Sequence, residues 1–151
     1  MIHRIDRFSR ILKTREKLRE EEQLRLRNQK NEEEGLLNKI SFLNTEKKTA
    51  YNKFSKVSEG AVLSTMEIWL HRQVVDVIDK NINIESNSLN SVRKEIANTE
   101  TRLMEKHKDV KIMDKHIDNL IKTWNTETLL FEQQEIDDMA CIRFTPKEDF
   151  R

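Results

Sequence analysis

The sequence predicts an all-α protein: a long two-helix antiparallel coiled-coil hairpin whose C-terminal helix overhangs its partner. Three observations carry that expectation. Only two glycines and one proline interrupt 151 residues, and few breakers mean few turns and long helices. Charged residues make up 36% of the chain and hydrophobic ones 36%, enough apolar surface for one seam but not for a layered core. Apolar residues also recur at alternating three- and four-residue steps along most of the chain, the repeat of a left-handed coiled coil.

The first helix is expected over about 3–59. Its seam runs Leu36, Ile40, Leu43, Lys47, Ala50, Phe54, Val57 and Ala61, with seven of the eight positions apolar. The same spacing extends back to Leu26, Leu12, Phe8 and Ile5 without a slip. Between them the seam positions Arg15, Arg19, Glu22, Gln29 and Glu33 are polar, so this stretch should be loosely held. Its flanks should carry opposite-charge pairs one turn apart, such as Glu21 with Arg25. Gly35 reads as a weak point inside the helix.

A break is expected over 60–64. Gly60 can stop a helix by adopting a left-handed conformation without strain, and Ser64 with Glu67 has the spacing of a capping box. The second helix should run from about 65 to 144, where Pro146 forbids continuation. Its seam is Leu89, Val92, Ile96, Thr99, Leu103, Lys106, Val110, Met113, Ile117, Leu120 and Trp124, nine of eleven apolar. The competing reading of both segments is a pair of amphipathic helices from a globular bundle.

So short a loop makes the helices antiparallel neighbours. Folding about position 62 sets residue i beside roughly 124 − i, so Ile5 falls near Asn119 and Leu12 near Ile112. The first helix, about 85 Å long at 1.5 Å per residue, is then too short to cover the end of the second. The second outruns it from near Trp124 to Phe144. This overhang holds Leu129, Leu130, Phe131, Ile136, Met139, Ala140, Ile142 and Phe144, apolar residues with no first helix alongside. An uncovered apolar stripe points to a binding surface. The alternatives are folding back and pairing with a second copy. The whole is expected to be a single coiled-coil domain spanning 1–151.

The net charge is +1, from 28 basic and 27 acidic residues, which argues against a nucleic-acid or anionic-membrane partner. Residues 1–27 carry nine basic and five acidic side chains, whereas Glu127, Glu132, Glu135, Asp137 and Asp138 make the C-terminal end acidic. No stretch approaches a membrane span, and "MIHRIDRFSR" lacks the apolar core of a signal peptide, so a cytosolic protein is expected. His3, His71, His107 and His116 are scattered, and Cys141 has neither an adjacent histidine nor a glycine-rich turn. Neither catalytic residues, nor a metal site, nor a cofactor, nor a small-molecule substrate is expected. At the loop end, Trp69 in "MEIWLHRQVVDVI" is either a local cap on the seam or a binding anchor.

Two stretches resemble a known family. The opening "RIDRFSRILKTREKLREEEQLRL" is similar to the start of the bacterial flagellar export protein FliJ family, with its aromatic, leucine pair and "RE…EE" helix. The close "EQQEIDDMACIRF" resembles that family's C-terminal signature, a glutamate- and glutamine-rich turn leading to "LDEIA" and a basic residue. Here these are Ile136, Asp137, Asp138, Met139 and Ala140, then Arg143. Cys141 departs from the basic or aliphatic residue that signature has there. The related injectisome stalk proteins share the architecture and are the nearest competitors.

The resemblance implies more than the residues do. It implies an antiparallel coiled coil similar to the central stalk of rotary ATPases, monomeric alone and free of enzymatic activity. Such a stalk enters the hexameric ring of the type III export ATPase and promotes its assembly. It also contacts the membrane export gate and exchanges export chaperones, at the cytoplasmic face of the inner membrane. On that carry-over Phe8, Ile11, Leu12, Ile136, Met139, Ala140 and Arg143 would face the ATPase, and Trp69 and Leu70 the gate. A self-associating cytosolic coiled-coil scaffold is the alternative.

Overall fold

A computed structural model describes residues 2–60 and 62–144; Ala61, on the expected seam, and Pro146 lie outside the described residues. It contains two helices, α1 (Ile2–Gly60) and α2 (Thr65–Phe144), which pack against each other as a hairpin joined through Val62–Ser64. The start of α2 is set by local chemistry. The Ser64 backbone N–H donates to Glu67 Oε2 at 2.8 Å, and the Glu67 N–H donates to Ser64 Oγ at 3.3 Å. This reciprocal closure satisfies two donors that the first turn would otherwise leave open. The end of α1 differs from expectation. Gly60 is its last residue, yet neither described glycine has a positive φ, so no left-handed cap forms there. Gly35 is simply a helical residue with open space around it.

The chain divides into two compact units. The first comprises Met1–Arg19 with Glu105–Arg151. Its seam buries Val110, Met113 and Ile117, and Ile5, Phe8 and Leu12 lie half-buried on the α1 side. The Phe8 ring meets His116 edge-on with centroids 4.8 Å apart, and an Arg15 guanidinium N–H donates to the Asp109 carbonyl at 3.2 Å.

The second unit comprises Glu20–Met104. Its core is Leu36, Leu89, Val92 and Ile96, with Leu26 and Ile40 packed against it. Thr99 is fully buried, and its hydroxyl accepts a hydrogen bond from Arg102 at 3.2 Å. Arg93 and Glu33 pair across the helices at 2.8 Å, and Lys47 and Asp79 at 2.5 Å. Near the loop, Phe54 and His71 stack at 5.1 Å.

Register follows from the pattern. In Phe8–His116, Arg15–Asp109, Glu33–Arg93, Lys47–Asp79 and Phe54–His71 the two residue numbers total between 124 and 126, as a fold about position 62 requires. Two details depart from expectation. Val57 is 45% exposed, because the register sets it beside Glu67 and Ile68, where α2 has only begun and buries nothing. Arg25 pairs with Glu22 at 3.2 Å rather than with Glu21, because Glu22 is the one turned toward the seam, its side chain only 14% exposed.

The polar stretch of α1 keeps its seam register but fills it imperfectly. Arg19 Nε, Glu22 Oε2 and Gln29 Oε1 are buried with no hydrogen-bond partner. Glu22 Oε2 does lie 3.9 Å from Arg102 Nε, close enough for charge attraction but too far for a hydrogen bond. A buried polar atom left in this state costs about 1–3 kcal/mol, so this stretch contributes less than its length implies.

Candidate interaction surfaces

The register places the start of α1, Ile2, beside about residue 122, so cover for α2 ends within two turns of that point. The side chains record this. Trp124 and Thr128 are still half-buried, and the Thr128 hydroxyl donates back to the Trp124 carbonyl at 2.9 Å. From Leu129 to Phe144 every residue is exposed, and the large apolar ones range from 57% (Leu130) to 85% (Phe144). At 100° per residue, Leu129, Ile136 and Ala140 share one narrow face, with Met139 and Arg143 along one edge of it. Phe131 and Ile142 lie on the opposite side. Glu132 lies on the same edge as Met139 and Arg143, Glu135 beside Ile142 and Asp138 beside Phe131, with Asp137 and exposed Cys141 on the remaining flank.

The residues expected to face the ATPase thus fall into two sets that the fold keeps apart. Ile136, Met139, Ala140 and Arg143 are exposed on the overhang. Phe8, Ile11 and Leu12 are half-buried at the seam, at the level of residues 112–116. Twenty residues of helix, or about 30 Å of rise, separate that level from Ile136. Phe8 and Leu12 lie half-buried at the seam beneath the overhang.

At the loop end Trp69 is 53% exposed and Leu70 49%, with Met66 and Val62 more exposed still. The ring contact on the seam there is Phe54 with His71, and Trp69 lies next to this level on α2 with about half its surface exposed. A wider feature is present that the sequence reading missed. Leu70, Val74, Val77, Asn81 and Ile84 repeat at three- and four-residue steps, one position ahead of the seam residues His71, Val75, Ile78, Ile82 and Glu85. With exposed Phe42 and with Thr45 and Thr49 of α1, this row lines an open groove along one flank of the hairpin. The signal was available as a second heptad-like series on the same helix.

Two of the four histidines pack on aromatic rings at the seam. His71 rests on Phe54 and His116 on Phe8. Among the described residues no group of three or more His, Cys, Asp or Glu side chains could hold a metal ion, and no helix is long and apolar enough to cross a membrane. The Lys47 ammonium titrates above the ordinary lysine value. Its hydrogen bond to Asp79 raises the pKa, partial burial opposes this, and the Asp79 charge adds to the rise.

A two-helix hairpin that leaves an apolar helix end and an apolar flank uncovered has the form of a protein-binding module. The family model for the flagellar FliJ protein matches residues 3–148, and the chain belongs to that family. It is therefore a flagellar export-related protein. No curated protein and no solved structure matches it.

Proposed function

We propose that this chain is a non-enzymatic stalk and adaptor of the flagellar type III export apparatus, acting as one coiled-coil domain. Its overhang binds the hexameric export ATPase and promotes assembly or activity of the ring. Its loop end, through Trp69 and Leu70 and the adjoining Phe42–Val74–Val77 flank, meets the membrane export gate. Export chaperones are the third class of partner, and the chain works at the cytoplasmic face of the inner membrane.

One observation supports this reading above the others. Residues 129–144 hold a helical course while exposing Leu129, Phe131, Ile136, Met139 and Ile142. A single helix gains little from its own propensity in water and most from packing an amphipathic face. A ring pore would supply that packing around a projecting helix. The alternative, a self-associating scaffold, rests on the same uncovered residues. Sedimentation separates the two. The stalk reading expects a monomer alone and one chain per ATPase hexamer in the mixture, whereas a stable dimer that ignores the ATPase would establish the scaffold instead.

A further inference from the structure

The seam of the second unit is chemically lopsided between Glu20 and Glu33. On the α1 side its positions are Glu22, Leu26, Gln29 and Glu33, so only Leu26 is apolar. The facing positions of α2, Val92, Ile96, Thr99 and Leu103, are apolar except for Thr99. Further along α1 the mismatch ends, with Leu36, Ile40 and Leu43 on consecutive seam positions. Three ion pairs join the polar stretch to α2: Arg93–Glu33 at 2.8 Å, Lys30–Glu100 at 3.5 Å and Arg102–Glu22 at 3.9 Å. Each has at least one side chain about half exposed, so solvent and salt screen all three.

We infer that residues Glu20–Glu33 of α1 form a strap that lifts from α2 ahead of the rest of this unit, uncovering Val92 and Ile96. Three features lower the cost of lifting. Glu22 Oε2 and Gln29 Oε1, buried without hydrogen-bond partners, regain water when the strap rises. Only Leu26 gives up an apolar contact with the core cluster from the strap side. The exposed ion pairs supply only a weak, salt-sensitive hold. Once lifted, the strap is an unsupported helical segment that frays, so its amides exchange with solvent.

Hydrogen exchange on the full chain, read peptide by peptide, tests this. Peptides within 20–33 should exchange about tenfold or more faster than those within 36–50, as expected of a low-stability opening unit. Raising salt to about 1 M should widen the gap, since ion pairs are screened there while apolar packing is not. The double substitution Glu22→Leu with Gln29→Leu should close most of the gap, at a concentration where its sedimenting mass equals the wild type's. Equal protection of the two segments in the wild type would overturn the inference. So would fast exchange that neither salt nor the double substitution alters, since opening would then owe nothing to the polar seam.

Discussion

Two parts of one helix behave in opposite ways. In residues 89–124 of α2, thirteen of thirty-six side chains are apolar; in residues 125–144, nine of twenty are. The second part is the richer, yet it buries nothing beyond Thr128, while the first contains Val110 at 2% exposure and Leu89, Val92, Ile96, Met113 and Ile117 all below 10%. Burial is therefore decided by the neighbour and not by composition. Where α1 lies alongside, apolar positions become a seam, and where α1 ends they become a surface. An apolar surface that a chain does not cover itself is retained at a cost in solubility, and the simplest reason for it is a partner.

The largest expected effect comes from placing a charge on each side of that divide. Val110→Asp puts an unpaired carboxylate into the tightest part of the seam and should destabilise the hairpin by about 3 kcal/mol or more. Ile136→Asp, on the overhang, should change stability by less than about 0.5 kcal/mol. Urea unfolding followed by circular dichroism checks both, and similar losses from the two would erase the distinction between paired and unpaired regions.

Ser64→Ala removes one half of the reciprocal closure that starts α2 and should cost about 1 kcal/mol. On the stalk reading, ATPase binding should survive it, since the closure lies at the other end of α2's sequence from residues 129–144. Gly35→Ala works in the other direction. The residue is helical and exposed, and an added Cβ meets nothing within 4 Å, so the substitution should stabilise by about 0.5–1 kcal/mol, seen as a higher urea midpoint.

The smallest effect concerns Lys47 and Asp79. A lysine whose folded pKa is raised contributes stability that is fully present below its unfolded value, near 10.5, and lost as pH rises through the folded value. The difference in urea midpoint between the wild type and Lys47→Met should therefore stay constant from neutral pH to about pH 10 and shrink only above it. A difference that vanished near pH 8 would mean that the pair does not govern this position.

Much of the fold was legible because its determinants are local or periodic. An unbroken heptad pattern, one short loop and a capping box leave a single antiparallel alignment, and the Phe8–His116 and Phe54–His71 contacts sit where that alignment puts them. The overhang was legible as a difference in helix length. The flank groove was not, because reading one seam per helix hides a second series, Leu70–Val74–Val77–Asn81–Ile84, shifted by one residue. Nor was the spacing of the two terminal sets: the register holds Phe8, Ile11 and Leu12 at the seam, about 30 Å of helix below Ile136, which the two motifs read separately do not reveal.

The most direct test of the stalk reading is ATP turnover by the export ATPase of the same organism, measured with the full chain, with a chain ending at Trp124, and with Ile136→Asp. The account expects stimulation by the full chain, none by the shortened one, and a clear loss with Ile136→Asp although the hairpin stays folded. Equal stimulation by all three would contradict it, because the uncovered end of α2 would then contribute nothing to the ATPase.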